Sequence, residues 1–128
     1  MPNSAPYTIE LGRGLLRALR NTGIIVFYQT SDLKVLWGQN IPQNWGGGII
    51  VGKTDAEFLP GPAAERVSER KQAVLATGSP ETLEFRDSAE DGGRWYDMWI
   101  DADTGPDGIA GIVTTVVDIT ERKHREQT

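Results

Sequence analysis

The sequence contains no cysteine, and its one histidine is His124 in a polar terminal segment. The absence of cysteine excludes disulfides, thiolate metal sites and cysteine nucleophiles. With so few imidazole and thiol groups, the sequence offers neither a Ser-His-Asp set nor a metal cluster. We therefore expect no metal site, and we expect the chain by itself not to be an enzyme.

Long apolar runs and basic clusters are also missing. No stretch approaches the ~20 residues that a membrane span needs, and the N-terminus has no apolar signal-peptide segment. The net charge is −5, and Arg13, Arg17 and Arg20 form no larger basic stripe, which disfavours nucleic acid and anionic membranes as partners. The 128 residues, 38% hydrophobic and 24% charged, predict one ordinary globular domain, and we expect it in the cytosol.

What the sequence does contain is an ordered series of short helix and strand patterns. Apolar residues recur at helical spacing in two segments and alternate or cluster in five others. The predicted order is a flexible leader (1–10), a helix (11–20), strands at 24–29 and 34–38, a short helix after Thr54, a helix at 63–77, and strands at 81–86, 94–102 and 109–119.

Local signals set the ends of the central helices. Thr54 and Glu57 have the spacing of a capping box, which predicts a helix of one or two turns that Pro60 and Pro62 end. The longer helix closes at Gly78. Its predicted buried face comprises Ala64, Val67, Val74 and Leu75.

The last strand has a distinctive exit. The apolar run that begins at Gly111 ends in Asp118-Ile119-Thr120, and a charged segment at 121–127 then predicts the start of a helix. We therefore divide the chain into a folded domain at 11–119 and a C-terminal helix start at 120–128.

Three motifs in this order resemble those of PAS domains, over roughly residues 11–123. They are Gly-Lys-Thr-Asp-Ala-Glu-Phe-Leu-Pro at 52–60, Arg-Trp-Tyr-Asp at 94–97 and Asp-Ile-Thr-Glu-Arg-Lys at 118–123. The set is most similar to PAS domains that precede bacterial sensor histidine kinases, notably of the HWE type. The resemblance implies an α+β fold, in which a five-stranded antiparallel sheet carries helices across one face.

The resemblance also implies a sensory role, in which a ligand or partner biases a downstream kinase or other effector through the terminal helix. The predicted relay residues are Asp118, Ile119, Thr120 and Arg122. The Asp118 carboxylate can accept backbone N–H groups at the helix start or pair with Arg122 four residues on. The alternative is that Asp118 and Thr120 only cap a helix.

PAS domains hold ligands between the helices and the inner face of the sheet. Strand alternation, aligned with the family pattern, predicts these ligand-binding residues: Ile25, Phe27, Gln29, Leu83, Phe85, Tyr96, Met98, Ile100, Ile112, Thr114 and Val116. The polar atoms of Gln29, Tyr96 and Thr114 could orient a small molecule. The alternative is a filled core in a ligand-free dimerisation or protein-interaction domain.

The cofactor stays unknown, although two familiar ones are disfavoured. A covalent flavin adduct needs a cysteine in the segment 52–60, so that chemistry is excluded, while noncovalent flavin stays open. Haem-binding PAS domains usually use a histidine on the long helix, and residues 63–77 contain none.

The outer face of the sheet carries an apolar stripe. It predicts a homodimer interface made by Leu11, Leu15, Leu19, Trp95, Trp99, Val113, Thr115 and Val117. PAS domains commonly dimerise through this surface, and the residues of the N-terminal helix would help to cover it.

One rival motif points to nucleotide binding. Residues 47–54 match the phosphate-binding loop pattern G-x-x-x-x-G-K-[ST], and the strand that ends at Asp118 resembles a Mg²⁺-binding strand. The context disfavours this function, because Pro60 follows Thr54 closely and no alternation of strands and helices predicts a parallel sheet.

Overall fold

The computed structural model describes residue 14 and residues 17–88 and 92–126 of the chain. Its centre is one antiparallel sheet in the order β2-β1-β5-β4-β3. The strands are β1 (Ile25–Thr30), β2 (Val35–Gln39), β3 (Glu81–Arg86), β4 (Trp95–Gly105) and β5 (Gly108–Asp118). The predicted fold class, an α+β domain with a five-stranded antiparallel sheet, is confirmed.

The two central helices lie on one face of this sheet. Helix α1 (Asp55–Phe58) is a single turn, helix α2 (Gly61–Thr77) packs on β3, β4 and β5, and helix α3 (Thr120–Glu126) follows the last strand. The start of α1 agrees with the predicted capping box, because the Thr54 backbone N–H donates to Glu57 Oε1 over 3.0 Å. Within the described residues, no helix is long and apolar enough to cross a membrane.

The long helix begins two residues earlier than predicted. Pro62 lies in the first turn of α2 and does not end the preceding helix. A proline fits there because the N–H that it lacks would have no intrahelical partner at that position. At the other end Gly78 closes the helix in the left-handed conformation (φ 75°), as the sequence predicts.

The β4–β5 hairpin is longer than the sequence indicates. The two strands stay paired as far as Gly105 and Gly108, so the predicted loop at 104–108 shrinks to a two-residue turn. Gly108 has a φ of 112°, which a residue with a side chain rarely adopts.

The N-terminal segment is described only in part. Residues 17–19 are helical, and Asn40 Nδ2 donates to the backbone oxygens of Leu19 (2.7 Å) and Ile24 (2.8 Å). These bonds tie the end of the helix to the end of β2. The predicted leader at 1–10 and the interface residues Leu11 and Leu15 lie outside the described residues.

Candidate functional site

The side chains predicted to contact a ligand all lie on the helix-covered face of the sheet, and every one of them is buried. The strand register sets them in rows, in which Phe85 lies opposite Tyr96, Leu83 opposite Met98, and Phe27 opposite Thr114. The predicted orientation agrees with the structure. Ligand binding by these residues stays a prediction.

An aromatic cluster fills one end of this face. The Trp45 ring lies 5.1 Å from the Tyr96 ring and 6.3 Å from the rings of Phe58 and Phe85, measured between centroids. Trp45 is completely buried, although it comes from the irregular segment before the glycine turn at 46–48. The loop is thus anchored by its one large aromatic residue.

The other end of the face holds a feature that the sequence analysis missed, a buried ion pair. Lys71 Nζ of α2 lies 2.6 Å from Asp55 Oδ1 of α1 and 2.6 Å from Gln29 Oε1 of β1. Gln29 Nε2 in turn donates to Asp55 Oδ2 (3.3 Å) and to the Leu33 backbone oxygen (2.9 Å). We call Gln29, Asp55 and Lys71 the polar core cluster. It connects the sheet to both central helices.

The environment of Lys71 opposes its positive charge. Its side chain is fully buried, so desolvation lowers the pKa of the ammonium, while the charge and hydrogen bond of Asp55 partly offset that effect. Nζ also lies 4.5 Å from the centre of the Phe27 ring, whose face attracts a cation. The cluster is therefore an ion pair in an otherwise apolar core.

A periodic signal could have revealed Lys71. The positions 64, 67, 71 and 74 follow the three- and four-residue steps of one helix face, and all four are buried. Leu75, which was predicted to be on that face, is only half-buried. Lys71 is therefore a charged residue on a helix face whose other positions are apolar and buried, and the helical spacing alone could have identified it.

Two buried polar atoms have no hydrogen-bond partner among the described residues. They are the hydroxyl oxygen of Thr114 and the indole nitrogen of Trp45, both on side chains with no exposed surface. Unpaired polar atoms in a core are uncommon and cost stability.

At the exit of the sheet, where β5 leads into α3, a network of hydrogen bonds is centred on Asp118. Its Oδ1 accepts the backbone N–H (2.9 Å) and the hydroxyl (2.6 Å) of Thr120, while its Oδ2 accepts Arg94 Nε over 2.6 Å. The Thr120 hydroxyl oxygen also accepts the backbone N–H of Trp95 (2.9 Å), and Ile119 N–H donates to the Trp95 oxygen (2.8 Å). The helix start is thus fastened to β4.

The predicted pairing of Asp118 with Arg122 does not occur. Asp118 pairs with Arg94, and Arg122 instead contacts Glu84 on β3 (3.2 Å) and Glu126 within α3 (3.5 Å). Arg94 comes from the neighbouring strand, because the β4–β5 register sets Tyr96 opposite Asp118. The other predicted bond, from a backbone N–H at the helix start, is present.

The hydrogen bonds at the exit favour the ionised form of the Asp118 and Glu84 carboxyl groups. Burial alone raises the pKa of the Asp118 carboxyl, but the hydrogen bonds from Arg94 and Thr120 outweigh it and hold the pKa below its ordinary value. Glu84 accepts from Lys123, and this bond lowers the pKa of that carboxyl as well. Lys123 Nζ also lies 4.9 Å from the centre of the Trp95 ring, so α3 covers part of the outer face there.

Tyr96 connects the core to this exit. Its ring packs against Trp45 in the core, and its backbone position lies opposite Asp118. Burial, followed by the negative charges of Asp87 and Asp118, raises the pKa of its hydroxyl well above the ordinary value. Asp87 is itself buried and accepts from Asn44 Nδ2 (2.7 Å) and from the Arg94 backbone N–H (2.8 Å).

Two cavities flank the exit. One, of about 320 Å³, lies between Arg94, Asp118 and the first turns of α3. The other, of about 340 Å³, lies between the start of α2 and the β3–β4 loop, where Pro62, Asp87 and Trp95 contribute to its wall. Both are large enough to admit a small group beside the network.

The strand residues of the predicted dimer surface lie on the outer face of the sheet. Trp99 is 44% exposed, while Trp95, Val113, Thr115, Val117 and Leu19 are half-buried. The same face carries Trp37, which is 39% exposed and stacks on Tyr28 with ring centroids 6.5 Å apart. An apolar outer face of this kind is compatible with a protein interface.

The rival phosphate-binding loop does not have the structural context that it needs. Residues 47–54 begin in a one-turn 3-10 segment and lead into α1, which has four residues. The sheet that contains Asp118 is antiparallel throughout. Within the described residues, no group of three or more His, Cys, Asp or Glu side chains could hold a metal ion.

Comparison with known proteins now gives the family. A family model described as the PAS fold matches residues 20–124, so the chain belongs to the PAS family. The predicted resemblance to PAS domains of sensor histidine kinases is confirmed. No curated protein sequence matches the chain.

Solved structures share this fold at low sequence identity. The phage VqmA–DPO complex has a TM-score of 0.69 at 16% identity, over 98% of this chain and 60% of that one. A PAS domain from Colwellia psychrerythraea has a TM-score of 0.67 at 14% identity, over 88% and 99% of the two chains. A sensory box sensor histidine kinase from Vibrio cholerae has a TM-score of 0.61 at 13% identity, over 92% and 98%. The chain spans 60% of the VqmA chain, so the likeness concerns only part of that protein.

Proposed function

We propose that this chain is a cytosolic input module of a bacterial signalling protein, such as a sensor histidine kinase. It receives a small ligand or a partner on the helix-covered face and passes the resulting strain to an effector through α3. By itself it performs no catalysis. It works as a homodimer that pairs through the outer face of the sheet.

One observation carries this proposal, namely the position of Asp118 between the core and the terminal helix. It is opposite the core residue Tyr96, it pairs with Arg94 of β4, and it accepts the first N–H of α3. A shift of β4 against β5 therefore changes the bonds that orient α3. A junction with two bonding arrangements is a switch that ligand binding can bias. The fold shared with a sensor kinase domain and with VqmA, described as binding DPO, supports this role.

The test is a fusion of the whole chain to the kinase core of a sensor histidine kinase, with autophosphorylation as the output. Asp118→Asn keeps the size of the side chain but removes the charge that Arg94 needs. We expect it to change basal autophosphorylation by threefold or more while the fold, measured by circular dichroism, persists. Asp107→Asn, on the exposed β4–β5 turn, is the matched control and should have no effect. Equal output from the wild-type and both variant fusions would contradict the relay.

A second candidate function is a ligand-free dimerisation module. The observation that favours it is the close-packed aromatic cluster around Trp45 together with the exposed Trp99. This function predicts that Trp99→Lys abolishes dimers in analytical ultracentrifugation and that no small molecule changes α3. A monomeric wild-type protein would exclude it.

A further inference from the structure

The polar core cluster brings an amine, an amide and a carboxyl group into mutual contact. Lys71 Nζ lies 2.6 Å from Gln29 Oε1 and 2.6 Å from Asp55 Oδ1. Lys71 and Gln29 have no exposed surface, and Asp55 is only 3% exposed. The three groups come from α2, β1 and α1, so the packing of the domain holds them together and away from bulk water.

The lysine amine is close to the carbon atom of the Gln29 amide. Nζ lies 2.6 Å from Oε1, and a C=O bond is about 1.2 Å long, so the nitrogen is at most about 3.8 Å from the amide carbon. Reacting atoms in a near-attack arrangement are about 3–3.5 Å apart, and a geometry held by packing strongly accelerates a reaction between them. A small movement of the lysine chain is enough to reach that distance.

The Asp55 carboxyl contacts both nitrogens of such a reaction. Oδ1 accepts from Lys71 Nζ, which would be the nucleophile. Oδ2 accepts over 3.3 Å from Gln29 Nε2, which would be the leaving group. A carboxyl group in this position can take a proton from one nitrogen and give a proton to the other, which is general acid–base catalysis.

The surroundings also favour the form of the lysine that reacts. Only a deprotonated amine has the lone pair that attacks a carbonyl carbon. Desolvation lowers the pKa of Lys71, and the charge and hydrogen bond of Asp55 only partly offset that effect. The Phe27 ring, 4.5 Å from Nζ and without exposed surface, completes the enclosure of the amine.

From this geometry we propose that Lys71 and Gln29 join in an intramolecular amide bond, with Asp55 as the catalytic carboxyl group. Nζ forms a bond to Cδ of Gln29, and the bond from Cδ to Nε2 breaks. Two protons of the Lys71 ammonium pass through Asp55 to Nε2, which leaves as ammonium. Asp55 ends as the carboxylate that it was before, and the reaction needs no oxidant or reductant.

The product would be a covalent link between β1 and α2. A chain without cysteine cannot form a disulfide, and an amide between side chains constrains the unfolded chain in a similar way. The hydrogen-bonded groups in the structure are the reactants, and the reaction is a slow step that follows folding. Freshly folded protein therefore holds the ion pair, and the link accumulates with time. This modification is independent of the proposed sensory function.

Intact-mass spectrometry of the purified wild-type chain, before and after prolonged warming at neutral pH, detects the reaction. We expect the mass to fall by one ammonia molecule, in a fraction of the protein that grows with time. An unchanged mass after the incubation would overturn the proposal.

Tryptic peptide mapping then locates the bond. Trypsin does not cleave after a lysine whose amine is blocked, so the product should be residues 21–34 joined to residues 71–86 through Gln29 and Lys71. Tandem mass spectrometry should find this branched peptide, lighter by one ammonia molecule. A loss of ammonia that maps elsewhere, such as ring closure at an asparagine, would contradict the proposal. So would a peptide that joins Lys71 to Asp55 with loss of water.

Asp55→Asn tests the carboxyl group. It keeps the size of the side chain and removes the proton carrier, so we expect the rate of bond formation to fall by about 100-fold or more, the range of general acid–base catalysis. Asp101→Asn, on the exposed outer face of β4, is the matched control and should react like the wild type. A folded Asp55→Asn variant that forms the bond at the wild-type rate would refute the role of Asp55. If this variant does not fold, the wild-type peptide map still decides whether the bond forms.

Discussion

Two carboxylate–cation pairs in this domain have the same separation, 2.6 Å, and opposite surroundings. Lys71–Asp55 has side-chain exposures of 0% and 3%, while Arg94–Asp118 has 51% and 33%. The buried pair cannot be rehydrated without moving a helix, whereas water competes with the exposed pair at every moment. The same contact therefore fixes the structure in one place and permits rearrangement in the other.

This difference matches a division of roles in a sensory domain. A recognition site benefits from groups that are held rigidly, because pre-ordered groups lose less entropy when they bind. A relay benefits from weak bonds that a strain of a few kcal/mol can break. A protein that separates its recognition site from its relay can change its ligand specificity without changing its output.

The largest effect should come from unpairing the buried charge. We expect Lys71→Met to lower the free energy of unfolding by about 3–5 kcal/mol, because it leaves the Asp55 carboxylate buried without a cation. Urea denaturation followed by circular dichroism measures this. The matched control is Lys34→Met on the exposed β1–β2 turn, which should change the free energy by less than about 0.5 kcal/mol.

The double variant Lys71→Met/Asp55→Leu sharpens the same test. If the cost of Lys71→Met comes from an unpaired carboxylate, removing that carboxylate restores most of the lost stability. A double variant as unstable as the single one would show that the packing of the lysine chain, and not its charge, stabilises the core.

The fold could be predicted from the sequence because helices and strands follow local patterns that repeat along the chain. Strand alternation gave the inner face correctly, and the spacing of Thr54 and Glu57 gave the start of α1. The buried pair was missed because a lysine counts against burial in any hydrophobic pattern, and Asp55 is also the ordinary acidic residue of a first helical turn.

The exit was predicted in outline: of the two partners expected for Asp118, the backbone N–H is present, whereas the place expected for Arg122 is taken by Arg94. Asp118 was recognised from its motif, but the choice of Arg122 followed helical spacing, which is the local rule. Arg94 is 24 residues away in sequence and becomes a neighbour only through the β4–β5 register. Alternation fixes the face of a strand, and it does not fix which residue lies opposite.

A smaller effect is expected at the exposed pair. Arg94→Gln and Asp118→Asn, combined in a double-mutant cycle, should show a coupling of about 0.2–1 kcal/mol in urea denaturation, as is usual for pairs of this exposure. The effect should shrink in roughly 1 M salt, which screens exposed charges. A coupling as large as that of Lys71 and Asp55 would remove the contrast between the two regions.

The smallest expected effect is a loss of stability at low pH. It should weaken the attachment of α3 to the sheet and leave the core unchanged. The pKa values of Asp118 and Glu84 are both below their ordinary values in the folded protein. Their stabilising contribution is therefore complete above about pH 4, the ordinary range of carboxyl groups, and is lost as the pH falls through the lowered values.

Amide hydrogen exchange across α3, followed by NMR between pH 6 and pH 3, measures this release. We expect faster exchange in Thr120–Glu126 at the acid end, corrected for the intrinsic rate, while the methyl signals of Val67 in the core keep their positions. Glu84→Gln should show faster exchange of α3 already at pH 6, because Lys123 and Arg122 lose the charged partner that links α3 to β3. If the core signals change at the same pH as α3, the exit and the core do not separate, and the weak exposed bonds cannot serve as an independent relay.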